Sequence, residues 1–499
     1  MFCWLFARKH GGQFILRIDD TDQQRNVAEA LEPILHGFRW LGMDWDEGPE
    51  VGGPYEPYYQ SQRSQSYQAA VDKLIEVGAA YYDYARPEEL QQEREEAERE
   101  KRSFVYSRRW RAETPEDRQR WEAEGRQAVV RLAMPREGKL VLHDLVRGDV
   151  EFEWASEQDQ VIQRADGTCL YHLATVVDDH AFGITHVIRA EEHLSNTPRQ
   201  VFIAQSLGYP LPEYAHLPYV AEPGSKNKLS KRKLDKYLKN RDFAQVNAHG
   251  DAIARRLGLR TSAETFNPVI VDFYEQVGYL PHAILNYLLL LGWSFDGETE
   301  FFSREEMIEH FSLERINRAP ASFDPQKLLS FQQHYMNQVP TVQKVSMVLP
   351  YLHQSGLVPD PTPAGIEQKV TQIVTAAGDR IRVAGDILDY EDFFTADDQL
   401  TYDEKAFDKR IRNAPEAAEL LTKFKSELAG AEPFTAEHLD QVLHAFVESE
   451  GIKIAQLIHP LRVATTGKAV GFGLFDTLAI LGRDACLARI DQALARLDG

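Results

Sequence analysis

The feature that most limits how this chain folds is a pair of short apolar runs that each stop in a polar, acidic cluster. Phe14-Ile15-Leu16-Arg17-Ile18 runs into Asp19-Asp20-Thr21-Asp22, and Gly183-Ile184-Thr185-His186-Val187-Ile188-Arg189 runs into Ala190-Glu191-Glu192-His193. Short apolar runs of this kind read as strands buried on both faces, the habit of a parallel sheet covered by helices. In open α/β sheets the ligand lies beyond the carboxyl ends of the strands, so these polar side chains are placed to touch a substrate. For the first cluster a helix N-cap at Thr21 or Asp22 is an equal reading of the same residues.

The rest of the first half fits that frame. Val27 to Leu41 has helical spacing (Leu31, Ile34, Leu35, Phe38), and so does Tyr67 to Val77, as crossover helices require. From Pro87 to Trp121 the composition turns to Glu, Gln and Arg, which predicts an exposed helical excursion inserted into the first domain. Val129 to Leu132 and Leu140 to Leu142 read as strands of that insertion, with turns at His143-Asp144 and Arg147-Gly148-Asp149. Leu170 to Val177 returns to the core as a further buried run, and Pro198 to Leu207 supplies the next helix.

A basic island then follows. Ser225 to Arg241 holds eight lysines and arginines against one acid, Asp235, in a chain of formal charge −21. A solvated lysine-rich helix face is one reading of such a run. Lys228-Leu229-Ser230-Lys231-Arg232 favours another, because a small hydroxyl between two lysines just after Pro223-Gly224 suits a phosphate-binding loop. It is not a P-loop, since no second glycine precedes a Lys-Ser or Lys-Thr pair.

With 499 residues the chain has room for about three domains. Its acidity excludes a generic nucleic-acid coat protein but allows an enzyme that confines its bases to one face. Three scattered cysteines, Cys3, Cys169 and Cys486, give neither a disulfide framework nor a cysteine-bound zinc. The apolar opening is cut short by Arg8-Lys9-His10 and no run approaches membrane-spanning length, which predicts a soluble, cytoplasmic protein without membrane partners.

RIDDTD (Arg17 to Asp22), YHLATVVDDHAFGITHVIRAEEHLSNTPRQ (Tyr171 to Gln200) and KLSKR (Lys228 to Arg232), in this order, resemble the bacterial-type glutamyl-tRNA synthetases, which are class I aminoacyl-tRNA synthetases. The resemblance continues through YLPHAILNYLLLLGWSFDGETEFFSREEMIEHF and SFDPQKL to PLRVATTGKAVGFGLFDTLAILG. It implies an α/β, Rossmann-like catalytic domain with an α+β insertion, then an all-helical anticodon-binding domain. The implied boundaries are 1–80 and 171–235 for the two parts of the catalytic domain and 81–170 for the acceptor-stem-binding insertion. Residues 236–330 make an extra insertion plus a helical stem-contact region, and 331–499 the anticodon-binding domain. Lys233 to Gly278 is additional to the family pattern, with Ile253, Leu257, Ile270, Phe273 and Val277 at helical spacing.

The implied reaction is ATP-dependent activation of L-glutamate and its transfer to the 3′ end of tRNA(Glu), with tRNA(Gln) a second candidate acceptor. The implied cofactor is ATP with Mg2+. Lys231 matches the family lysine that draws charge from the leaving pyrophosphate, flanked by Lys228, and Lys228, Leu229, Ser230, Lys231 and Arg232 together form the ATP loop. Arg189 matches the arginine that reads the substrate's side-chain carboxylate. The alternative for Arg189 is a structural ion pair with Glu191 or Glu192. Tyr171 matches a residue of the amino-acid pocket, and Asp19 stands where the family usually has Glu beside the substrate ammonium group.

Some members bind zinc through a Cys-x-Cys pair and a Tyr-x-x-x-Cys element. Here Asp83 and Ala85 hold the pair, and Tyr106 is followed by Trp110, so no structural zinc is expected. The family's opening strand, its Ser-Pro-Thr-Gly segment and its His-Ile-Gly-His-type signature come before the counterpart of Trp4. Met1 therefore reads as an internal codon taken as the start, ahead of the alternative of a paralogue that binds tRNA without activating glutamate. A chain beginning at Met1 is expected to activate glutamate poorly. No long heptad seam suggests an obligate dimer, and a monomer is expected.

Overall fold

The computed structural model describes residues 1–20, 27–102, 104–225, 227–230, 233–263, 265–414 and 416–497. Two units account for the chain: Met1–Ser230 with Leu285–Asp324, and Lys231–Ile284 with Pro325–Gly499.

The first unit is α/β. Its helices include α1 (Phe2–Lys9), α2 (Val27–Trp40), α3 (Ser64–Glu76), α4 (Pro87–Arg99), α5 (Pro115–Ala123), α6 (Tyr171–Ala181) and α7 (Thr197–Leu207). Its strands are β1 (Ala80–Asp83), β2 (Val129–Leu132), β3 (Lys139–Asp144), β4 (Gly148–Glu153), β5 (Val161–Gln163), β6 (His186–Ala190), β7 (Glu213–Leu217), β8 (Val220–Ala221) and β9 (Ala321–Ser322). β1, β2 and β5 form an antiparallel sheet. A second sheet has the order β4-β3-β7-β6, in which β6, β7 and β3 run parallel and β4 folds back on β3.

α3, α6 and α7 close over a core that includes Val71, Leu74, Leu132, Ile162, Leu173, Ala174 and Ile203, all buried. A smaller cluster of Leu142, Val201 and Tyr214 packs α7 against the parallel sheet. Removing one such leucine costs about 2–5 kcal/mol, because the lost transfer energy adds to the cavity left behind.

Three local expectations change. Phe14 to Ile18 is extended but joins its neighbours only through isolated parallel bridges, Ile15 to Glu47 and Ile18 to Tyr59. Leu170 to Val177 is not a strand: it is the N-cap and first turns of α6. An eight-residue apolar run fits either period, and the deciding residues lie downstream, where Asp178 continues the helix and is itself buried. Leu140 to Leu142 belongs with β7 and β6 rather than with β1 and β2, and His143-Asp144 ends β3 instead of making a turn.

Asp178 ties the extended segment to the helices. Its buried carboxylate accepts from Arg63 Nε at 2.6 Å, Tyr67 Oη at 2.8 Å and Gln60 Nε2 at 3.1 Å, and Arg17 Nε lies 4.0 Å away. A buried charge persists only when paired and hydrogen-bonded in this way.

The second unit is helical. α8 (Leu234–Tyr237) was not foreseen, whereas α9 (Arg241–Arg256) and α10 (Val271–Val277) fall at the predicted spacings. Helices 417–430, 436–449, 455–466, 474–481 and 483–495 share a core that includes Phe424, Leu443, Leu461, Leu478 and Ile490. Buried Arg489 donates to Asp397 Oδ1 at 2.6 Å and to the carbonyls of Thr465 and Thr395, fixing the connecting segment to the bundle.

Candidate active site

The parallel register of β6 and β7 sets Arg189 opposite His216. Arg189 Nε donates to His216 Nε2 at 3.1 Å, and its Nη2 donates to Thr197 Oγ1 at 2.9 Å. No carboxylate of the described residues pairs with this guanidinium. Glu191 is taken by Arg147 and Glu192 by Lys228, so the alternative of a local ion pair for Arg189 is not realised. Burial pulls the Arg189 guanidinium below its ordinary value, opposed by Tyr171, Tyr214 and Asp179 around it. A half-buried cation with unused N–H groups at the end of a parallel strand is built to receive an anion.

Tyr171 opens α6 and approaches this guanidinium. One turn on, Thr175 is buried and its Oγ1 has no hydrogen-bond partner among the described residues. The i, i+4 spacing puts Tyr171 and Thr175 on the same helix face. Thr175 went unnoticed in the sequence, where it read as one more small residue of an apolar run.

Asp19 lies at the end of the extended segment, and Arg17 Nε donates to its Oδ1 at 2.7 Å. Arg17 Nη1 also donates to Asp179 Oδ1 at 2.6 Å. Asp179 is pushed above the usual carboxylate range by burial, with Arg17 opposing. Asp19 and the surroundings of Arg189 are thus linked through Arg17 and Asp179. Asp20 does a different job, since it accepts from the Ser61 backbone at 2.8 Å and from Ser61 Oγ at 2.6 Å. Thr21 and Asp22 lie outside the described residues. A cavity of about 250 Å³ beside Ser61 is lined by Gln60, Ser64, Tyr67, Thr168 and Cys169, and none of the sequence-predicted site residues lines it.

The basic loop leaves β8 as a tight hairpin. Leu229 N donates to Val220 O at 2.9 Å, Glu222 N donates to Asn227 O at 2.7 Å, and Gly224 at φ +65° makes the turn. Such a φ favours glycine because it has no Cβ to clash. Lys228 pairs with Glu192, which follows β6, so the loop is held against the end of the strand that carries Arg189. Ser230 has a partner of its own, and Lys231 and Arg232 lie outside the described residues.

With this geometry in place, comparison with known families decides the lineage. Residues 1–266 and 264–330 match the catalytic domain of class I tRNA synthetases (E and Q), and residues 343–494 match an anticodon binding domain. The chain belongs to the glutamate–tRNA ligases. The ligase of Moorella thermoacetica is 42% identical over 493 residues, covering 99% of this chain and 93% of that protein. Glutamate–tRNA ligase 2 of Rubrobacter xylanophilus is 38% identical over 498 residues, covering 100% of this chain and 93% of the relative. The crystal structure of a glutamate tRNA ligase from Elizabethkingia meningosepticum in complex with its amino acid superposes with a TM-score of 0.83 at 31% identity, covering 99% of this chain and 95% of that one.

A class I synthetase catalytic domain is therefore followed here by a largely helical anticodon-binding domain. Within the catalytic unit of this ligase, Asp83 is held by ionic and hydrogen-bonding groups. Tyr106 Oη donates to Asp83 Oδ1, and Arg131 Nε donates to Asp83 Oδ2 at 2.6 Å. Arg108 and Tyr81 converge in the same way on Asp159, whose side chain is buried. Among the described residues no group of three or more His, Cys, Asp or Glu side chains is arranged to hold a metal ion, and no helix is long and apolar enough to cross a membrane.

The helical unit carries a small cleft lined by Tyr390, Phe393, Arg462, Lys468 and Phe472. Burial pulls the Arg462 guanidinium down from its ordinary value, and Arg380 adds to this. Val470, which also lines it, is 80% exposed.

Proposed function

We propose that this glutamate–tRNA ligase binds L-glutamate between Arg189, Tyr171 and Asp19 and carries out both steps of tRNA charging there. The remaining N–H groups of Arg189 donate to the side-chain carboxylate in a fork, and Asp19 faces the ammonium group. Glutamine offers an NH₂ where glutamate offers a second oxygen, so a site built for two acceptors is left with a donor against a donor. The observation that carries this reading is the partnering of Arg189 by His216 and Thr197, with no carboxylate of the described residues against it.

In the first step an oxygen of the glutamate α-carboxylate attacks the α-phosphorus of ATP; an O–P bond forms and the P–O bond to pyrophosphate breaks. In the second, a ribose hydroxyl of the terminal adenosine attacks the acyl carbon, the bond to AMP breaks and the hydroxyl proton is released. Both centres are flanked by negative charge, so the protein contributes position and positive potential rather than a covalent nucleophile. Lys228, Leu229, Ser230, Lys231 and Arg232 form the phosphate loop. Lys231 takes up charge on the departing pyrophosphate, and Lys228 exchanges Glu192 for phosphate when ATP arrives with its Mg2+. A flexible ammonium suits that exchange, because it is a point charge that engages and lets go without a fixed fork.

The anticodon end of tRNA(Glu) docks on the helical unit. tRNA(Gln) is the second acceptor to test. The test is charging of each tRNA with labelled glutamate by the purified native protein, beside its Lys231→Ala variant. Glutamate attached to tRNA(Glu), with an initial rate at least about a hundredfold lower in the variant, is expected from the loss of a transition-state charge contact. Unchanged charging by the variant removes Lys231 from the mechanism. Salt-sensitive tRNA binding with no adenylate formed supports the non-catalytic paralogue instead.

A further inference from the structure

We infer that Asp144 and His216 are positioning residues for amino-acid recognition: together they hold His216 in one tautomer and thereby aim Arg189. The inference rests on the reading of Arg189 as the glutamate-binding arginine and extends it to two residues that do not touch the substrate.

His216 lies on β7 with its side chain wholly buried, and Asp144 at the end of β3 is buried as completely. His216 Nδ1 lies 2.6 Å from Asp144 Oδ2. Asp144 also accepts from the backbone N–H of Val146 at 3.0 Å, Arg147 at 2.8 Å and His216 at 3.1 Å. Burial alone would raise this carboxyl; the His216 bond and the backbone donors outweigh it and hold the group below the usual carboxylate range. An ionised carboxylate only accepts, so the proton on the ring sits at Nδ1. Nε2 keeps its lone pair, which is what Arg189 Nε–H requires, since a guanidinium has donors only.

The other side of the guanidinium is fixed as well. Thr197 Oγ1 takes the Nη2 bond and lies 3.3 Å from His216 Nε2, closing a small ring of contacts around Arg189. The Tyr214 ring lies 6.1 Å from His216, nearly parallel to it, and closes off that side of the imidazole. Asp144 also holds the turn after β3 through the Val146 and Arg147 N–H groups, and the His216 carbonyl accepts from Arg147 Nε at 3.1 Å; the His216 ring is left to Asp144, Arg189 and Thr197. The sequence around them gives no hint of the pairing, because it joins positions 72 residues apart.

The consequence is a recognition arginine whose plane is set before substrate arrives. Losing the His216 acceptor frees the guanidinium to rotate, which weakens a two-pronged contact far more than a contact to a point charge. Glutamate binding should therefore suffer and ATP binding should not.

The experiment is calorimetric titration of L-glutamate, L-glutamine and ATP into the parent and into His216→Ala, His216→Asn and Asp144→Asn, with melting curves to check folding. His216→Ala is expected to weaken glutamate by about tenfold or more, the scale of one charge-assisted hydrogen bond, and to leave ATP within about twofold. His216→Asn restores an acceptor and recovers part of the loss. Asp144→Asn keeps the shape but frees the tautomer, and so gives an intermediate loss even if His216→Ala does not fold. A folded His216→Ala protein that binds glutamate as the parent does overturns the inference, and so does an equal loss of glutamate and ATP. A parent that binds ATP but no glutamate overturns the reading of Arg189 on which the inference rests.

Discussion

His172 follows Tyr171 at the start of α6, and its Nδ1 is buried without a hydrogen-bond partner among the described residues. Burial, with Arg199 and Arg189 nearby, lowers it to about 4 from an ordinary 6.5. Between those values the unfolded chain binds a proton there and the folded chain does not, so stability rises with pH across that window. The contribution is complete above about pH 6.5 and lost on acidification towards pH 4. Melting temperatures followed from pH 7 down to 4 should fall, and His172→Gln should flatten the part of the slope between 6.5 and 4. An identical slope in the variant would assign the acid sensitivity elsewhere. Asp178 makes a larger demand at the same scale. Its removal leaves Arg63 buried without its counter-charge, and Asp178→Ala should cost about 3–5 kcal/mol in denaturant unfolding.

Among the elements, the segment after the basic loop is most open to test. α9 packs against α10 through Gly250, where an added Cβ would fall against the Phe273 ring. Gly250→Val should destabilise the helical unit by about 1–3 kcal/mol, the usual cost of overpacking, read as a lower midpoint in a urea melt. The segment is bound into its own unit by His249 to Asp386 at 2.6 Å and Arg256 to Asp389 at 2.6 Å. The strands around Asp83 give a second prediction. A chelator should leave the melting temperature unchanged, whereas Asp83→Ala, which leaves Arg131 and Tyr106 facing each other, should lower it.

Local signals were the legible ones at this scale. Ser303 and Glu306 stand at the three-residue spacing of a capping box, and Ser303 caps the helix Arg304–His310 in that way. α9 and α10 were equally visible in the spacing of Ile253, Leu257, Phe273 and Val277. α6 was misread because Leu170 to Val177 is mostly apolar; the residues that favour the helix lie outside that run, and so do the partners it packs against on α3 and α7. The placement of β3 was equally hidden, since a short strand carries no mark of which sheet it joins.

For the molecule as a whole, charge and topology matter most. A chain of formal charge −21 that binds a polyanion must do so through confined basic regions. tRNA binding should therefore weaken steeply with salt, by more than about tenfold between roughly 50 and 200 mM, while glutamate affinity changes little; filter binding beside calorimetry would separate the two. Arg189, Tyr171 and Asp19 drew attention in the sequence because they sit inside family-like blocks. His216, Asp144, Asp179 and Thr175 did not, because their meaning lies in contacts made across the sheet and between distant helices.

The central claim is that Arg189, preset by its neighbours, separates glutamate from glutamine. The most direct measurement is the ratio of kcat/KM for glutamate to that for glutamine in tRNA charging, compared between the native protein and Arg189→Gln. The expected result is a strong preference for glutamate in the native protein that falls by at least about tenfold to a hundredfold in the variant, as loss of a paired charge contact requires, with KM for ATP unchanged. A variant that charges glutamate as efficiently and as selectively as its parent would contradict the account.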